Sequence, residues 1–248
     1  MTRRLRALGA AIQFSLFSPG SEGAPHEIKV FTDELAKYGE HTLEIHANKA
    51  SRAGSQSDQR ATPLQLMPEY SYGIRRNWEL SLQSPVSEER GHARSDGYRA
   101  ELQYVAPHDE TEGFYWGINL ELANVRERDE PQFWNTEMIP ILGLRIDRWH
   151  LAANPGVNLP ASGPQRKVKF DPAAKIAYRA FERNYLGIEY YVEAGPLRDW
   201  LPRSQRSRML YLAWDGKMGK SDFNIGIGRG LTDASDRWVL KMIYEFPF

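Results

Sequence analysis

The feature that most constrains this chain is the strict alternation of its last eleven residues, Trp238-Val-Leu-Lys-Met-Ile-Tyr-Glu-Phe-Pro-Phe248. Trp238, Leu240, Met242, Tyr244, Phe246 and Phe248 take every second position, and Val239, Lys241, Ile243, Glu245 and Pro247 lie between them. Successive side chains of a β-strand point to opposite faces, whereas a helix repeats every 3.6 residues. The spacing therefore predicts a strand with one apolar, aromatic-ended face and one mixed face that carries both charge signs.

The same period of two runs back through most of the sequence. It marks twelve segments, at roughly 41–50, 62–74, 77–86, 97–106, 114–125, 133–146, 149–159, 168–180, 184–195, 207–217, 222–231 and 237–248. In one of them Trp116, Ile118, Leu120 and Leu122 oppose Gly117, Asn119 and Glu121. Most segments are close to the 9–11 residues that a tilted strand needs to cross a bilayer. An even number of strands is what single-chain bacterial barrels require. The reading is all-β: a closed, antiparallel, up-and-down transmembrane β-barrel of about twelve strands over 41–248.

Alternation alone also fits a soluble all-β protein whose apolar face turns inward. Mean hydropathy is −0.58, and no run approaches the roughly 18 apolar residues of a membrane helix. A barrel escapes that test, because only alternate residues meet lipid. Two patterns favour the membrane. The connections alternate in length: short near 75–77, 147–148, 182–184 and 218–221, with 107–113 somewhat longer, against mostly long ones at 51–61, 87–96, 126–132, 160–167 and 196–206, and a shorter one near 232–236. Aromatics of the apolar face then fall at two heights. Tyr72, Trp78, Tyr104, Trp116, Trp149, Tyr178, Phe246 and Phe248 lie near the short turns, and Tyr98, Phe170 and Trp238 near the long loops. Amphipathic rings gather at the membrane–water boundary. Pro68, Pro140, Pro155 and Pro172 resist, since proline cannot donate to the ladder. Bulges or strand ends are expected there.

The N-terminus, Met-Thr-Arg-Arg-Leu-Arg followed by an apolar stretch to Phe17 and small residues to Ala24, reads as a secretory signal over 1–24. The h-region is broken by Gln13 and Ser15. Residues 25–40 are expected to form a short segment at the periplasmic mouth, with one helical turn near 32–39 ended by Gly39. There is no cysteine, which excludes disulfides, thiolate metal sites and a cysteine nucleophile. Formal charge is zero, and about −2 without residues 1–24. No basic excess points to nucleic acid.

With the apolar face in lipid, the other face lines the lumen. Its expected polar network is Glu44, His46, Glu69, Glu79, Arg99, Glu101, Glu121, Glu137, Arg145, His150, Lys175, Arg179, Glu189, Glu193, Asp215, Lys241 and Glu245. Buried charges need partners. The charges either pair across the interior and close it, or line a narrow wet path whose field selects solutes. Small residues on this face, such as Gly117, Gly143, Gly156, Gly187, Gly226 and Gly228, leave room for long side chains or water. No nucleophile elbow, P-loop or H-E-x-x-H stretch occurs, so no catalytic, cofactor or metal residue is assigned. Some outer-membrane enzymes are twelve-stranded, with Asn, His and Ser near the lipid boundary. Ser81 and Ser84 have polar neighbours here, but no spacing assembles such a triad.

The alternating last strand that ends in Phe248 resembles the closing strand of bacterial outer-membrane barrels, which signals to the barrel-assembly machinery. Glu27-Ile-Lys-Val-Phe31, Gly39-Glu-His-Thr-Leu-Glu-Ile45, Leu186-Gly-Ile-Glu-Tyr-Tyr191 with Gly195-Pro196, and Gly226-Ile-Gly-Arg-Gly-Leu-Thr-Asp233 extend the likeness. They resemble an uncharacterised group of barrels similar to those of the phenol meta-pathway (MetA-type). That resemblance implies an outer-membrane location, contact with lipid bilayer and lipopolysaccharide, and passage of small molecules. It supplies no catalytic residues. The expected function is a narrow or gated passage, with a lipid-modifying hydrolase and a sealed structural or docking barrel as alternatives.

Overall fold

The computed structural model of the chain describes residues 27–51, 64–89, 92–126, 132–163 and 167–248. Its strands are β1 (His41–Ser51), β2 (Leu64–Arg75), β3 (Trp78–Gln83), β4 (Val86–Glu89), β5 (His92–Ser95), β6 (Gly97–Val105), β7 (Gly113–Val125), β8 (Phe133–Ile146), β9 (Trp149–Pro160), β10 (Lys169–Phe181), β11 (Asn184–Glu193), β12 (Ser207–Met218), β13 (Ser221–Gly230) and β14 (Trp238–Pro247). Each pairs antiparallel with its neighbour, and β14 returns to pair with β1 from Thr42↔Pro247 to Ser51↔Trp238. The sheet is closed. β4 and β5 lie outside the ring as an arm that prolongs β3 and β6, so twelve strands make the wall.

That arm corrects the expected loop at 87–96. Pairing resumes past Pro85 and runs from Val86↔Ser95 to Glu89↔His92. The break is held by Asp96 N–H donating to Pro85 O at 2.8 Å, and by Gly97. Gly97 has φ +129, and a Cβ there would meet Asn124 O at 2.0 Å. The short turns carry the positive φ that tight hairpins need, at Asn77, Asp147 and Gly219.

The prolines produce no register shift in β2, β8, β9 or β10. Pro155 faces Pro172 directly. Between β8 and β9 the ladder lapses from Met138↔Val157 to Leu142↔Ala153, where Pro140 and Pro155 come opposite each other and neither has an N–H to give. Asn154 Nδ2 donates to Pro140 O across the gap at 3.4 Å. The expected bulges are replaced by a paired gap.

The wall is inverted relative to a soluble protein. Its outer face exposes Leu43, Leu82, Trp116, Ile176, Leu186, Leu212, Leu240 and Phe246, with Leu212 65% exposed. Its inner face buries Asn48, Glu69, Asn119, Glu189 and Lys241. A continuous apolar belt of this size on the outside and charge on the inside is the solution for a barrel solvated by lipid. The expected boundary aromatics lie on the outer face at the strand ends. Trp78, Tyr104 and Trp116 form a chain of ring contacts, and Trp149 meets Tyr178. Tyr72 and Phe248 both stack on His41, and Phe246 meets Tyr244. At the other end Tyr98 meets Trp134, Phe170 stacks on Trp200, and Arg229 lies over Trp238.

Candidate functional site

The segment before β1 lies inside the barrel, which corrects its expected place at the mouth. It has no helical turn. Ile28, Val30, Phe31, Thr32 and Ala36 are all buried. Residues 27–37 form neither helix nor ladder strand and bend at Asp33, and their contacts run from one end of the wall to the other. Ile28 packs with Ala50, Met209, Tyr211 and Val239 near the long loops. Phe31 packs midway with Tyr115, Ile139 and Ile141. Tyr38 bridges to Gly73 near the short turns. Gly39, at φ +80, then turns the chain into β1.

The wall holds the backbone of this segment largely through side chains. Asn154 Oδ1 accepts from Phe31 N–H at 2.8 Å while its Nδ2 donates to Phe31 O at 3.1 Å. Gln103 Nε2 donates to Thr32 O and Glu34 O, Lys241 Nζ donates to Ile28 O at 3.1 Å, and Glu79 accepts from Ala36 N–H. A wall strand would be held by a ladder of backbone bonds. This segment is docked as a peptide ligand would be.

Charged side chains of the segment join those of the wall in three groups. Lys29 Nζ reaches Glu44, which with Glu69 flanks His46 Nε2 at 3.2 and 3.0 Å. Glu44 and Glu69 are directly opposed in the ladder, so their like charges need these partners. Glu27 pairs with Arg99, whose guanidinium also meets Glu101 and Glu121. Asp33 accepts from Arg145 Nη2 at 2.5 Å and contacts His108 at 2.8 Å.

The side chains of a fourth group all come from the wall, although Lys241 also reaches the segment at Ile28 O. Lys241 pairs with Glu189. Lys175 lies 2.7 Å from Asp215 and 3.6 Å from Glu189. Asn224 and Tyr191 add hydrogen bonds to the same carboxylates. His150 meets the Tyr115 hydroxyl at 2.7 Å. Glycines make room for these long side chains: a Cβ on Gly143 would lie 1.8 Å from the Tyr115 ring, and one on Gly228 would lie 2.3 Å from Tyr211.

The remaining expected residues lie at the edges of these groups. Arg179 donates to Asp147 O at the short-turn rim. Glu245 lies opposite Glu44 and Asp222, Glu137 opposite Glu121, and Glu193 opposite Ser207 near the long loops. Alternation did not reveal Glu27, Lys29, Phe31 and Asp33, because they precede the period-two region. The neutral partners Gln83, Gln103, Tyr115, Asn119 and Asn154 carry no charge signal, although their inward parity was readable. The expected leader, 1–24, lies outside the described residues.

The site does not assemble a hydrolytic triad. Ser81 Oγ lies 2.7 Å from Ser71 Oγ and 3.4 Å from Glu79, and Ser71 donates to Glu69, the partner of His46. A carboxylate thus stands between hydroxyl and imidazole, where a triad needs the imidazole in the middle.

No family model matches this chain, and no curated protein matches it. Among solved structures it is similar to an outer membrane channel from Pseudomonas putida F1, at TM-score 0.64 and 11% identity, covering 90% of this chain and 100% of that one. LpxR from Salmonella typhimurium aligns at TM-score 0.44 and 9% identity over 83% of this chain and 99% of that one. The first of these likenesses places the chain by fold among outer-membrane β-barrels, and its own closed ring has twelve strands.

Proposed function

We propose that the protein is an outer-membrane barrel that passes small solutes through a charged lumen, gated by its own segment 27–37. The observation that carries this reading is the seating of that segment. It runs through the interior from the long-loop end to the short-turn end, yet among the described residues it is anchored by separable side-chain contacts and joined to the wall through residues 38–40. Water and solute ions can replace such contacts group by group, whereas a ladder strand leaves only by unzipping. The fold shared with the Pseudomonas putida channel supports the reading, as do the short phrases that resemble phenol meta-pathway barrels. The arrangement of Ser81, Ser71, Glu69 and His46 favours passage over lipid hydrolysis.

Planar-bilayer recording tests it. The full chain is expected to give small or intermittent conductance. A variant lacking 25–38 is expected to give a larger, steady one. Silence from both proteins across a range of salts leaves a sealed barrel and ends the proposal.

A further inference from the structure

The two acidic groups near the segment differ in charge balance. In the first, Glu44 and Glu69 are met by Lys29 and His46. In the second, Glu27, Glu101 and Glu121 share one cation, Arg99. With all three ionised, two negative charges are left over. Glu101 and Glu121 are buried and directly opposed on β6 and β7, so neither water nor distance relieves them. Polar atoms around them also lack complements: Glu27 Oε1, Gln83 Oε1 and Asn119 Oδ1 are buried oxygens without a hydrogen-bond donor, against one buried donor, Arg99 Nε, without an acceptor. The Glu27 side chain is only 8% exposed, and Asn119 is fully buried.

Oxygen acceptors that outnumber donors, with two uncompensated negative charges, are what a hard divalent cation satisfies. We propose that Glu27, Glu101 and Glu121 bind one Ca²⁺ between the lumen segment and the wall. One carboxylate oxygen from each lies within 4.8 Å of the others. Calcium–oxygen bonds of 2.3–2.6 Å allow two ligands to stand about 5 Å apart across the ion, whereas Mg²⁺ requires about 4 Å. Oxygens held anywhere within that limit can close on Ca²⁺, whose coordination is flexible, more readily than on Mg²⁺, which demands near-ideal octahedral geometry. Asn119 Nδ2 now lies 3.2 Å from Glu101 and 3.4 Å from Glu121. Half a turn of that amide presents the orphaned Oδ1 to the cation instead. Gln83, whose Nε2 lies 2.5 Å from Glu101, can make the same exchange.

Because Glu27 belongs to the segment, the ion fastens the segment to β6 and β7. This consequence for the passage rests on the gating reading. The binding itself does not, and calorimetry separates the two.

The test is titration of the full chain, refolded in detergent free of lipopolysaccharide, with CaCl₂ and separately with MgCl₂. One Ca²⁺ per chain is expected, with Kd below about 1 mM, and Mg²⁺ weaker. Glu27→Gln leaves the wall intact and is expected to raise Kd by about tenfold or more, because ligand charge sets affinity. E101Q/E121Q removes the saturable heat. If that double variant does not fold, Glu27→Gln alone decides. No saturable heat up to about 10 mM Ca²⁺ overturns the proposal. So does a Kd that Glu27→Gln leaves unchanged. Either result means that protons, not a metal ion, balance these carboxylates.

Discussion

Lys29 Nζ lies 3.2 Å from both carboxylate oxygens of Glu44, tying the lumen segment to the first strand of the wall. The Lys29 side chain is 26% exposed, so solvent screens the pair in part. Its loss in Lys29→Met is expected to cost the docked segment about 1–3 kcal/mol, between a surface pair and a buried one. That corresponds to a rise of about 5–150-fold in the ratio of undocked to docked segment. Single-channel open probability reads it, and the charge swap Lys29→Glu with Glu44→Lys is expected to restore the closed level. An open probability unchanged in Lys29→Met would show that the segment is held elsewhere.

The second anchor is Asp33, which accepts from Arg145 and contacts His108. Asp33→Asn disturbs both partners and Arg145→Gln only one, so Asp33→Asn is expected to be the more disruptive. In a double-mutant cycle by urea unfolding in vesicles, the pair is expected to couple by about 1–3 kcal/mol. Additive effects would remove the anchor.

Gly143 and Tyr115 are matched by shape. Tyr115 lies over Gly143, and a methyl group there has no room beside the ring. Gly143→Ala is expected to destabilise the barrel by about 1–3 kcal/mol through overpacking. Tyr115→Leu in the same chain is expected to recover part of that loss. A Gly143→Ala barrel with an unshifted urea midpoint would mean that the ring has another place to go.

Phe248 stacks on His41 at 6.0 Å, and its N–H donates to His41 O at 2.9 Å. Phe248→Ala keeps the backbone bond and loses the ring contacts, so refolding in vitro is expected to lose only about 0.5–1.5 kcal/mol. If the assembly machinery reads this residue, the yield of folded barrel in cells falls far more than that. Heat-modifiable mobility on gels measures both, and equally small losses would assign Phe248 a packing role alone.

The twelve-stranded wall was legible in the sequence because alternation is a local property. Each strand shows its two faces in its own residues, and closure follows once an even number of such strands must hide two edges. Trp238-Val-Leu-Lys-Met-Ile-Tyr-Glu-Phe-Pro-Phe248 carries that signal without reference to its partners. The arm of β4 and β5 was missed for the same reason: Pro85 and Gly97 read locally as the end of a strand, and only cross-strand pairing shows that the ladder resumes beyond them.

The contents of the lumen belong to the tertiary structure. Parity places Glu44, Glu101 and Glu121 on the inner face, but it does not say which acid finds which base. Those pairings depend on register between strands, as in Glu101↔Glu121, and on a segment that makes no ladder of its own. In the sequence Glu27 and Lys29 look like part of a short extended stretch, and Asp33 like part of a helical turn. Folding the wall around them turns them into the partners of Arg99, Glu44 and Arg145. Periodicity records which side of a sheet a residue takes, whereas electrostatic pairing is a matter of distance, and distances across a barrel exist only once the ring has closed.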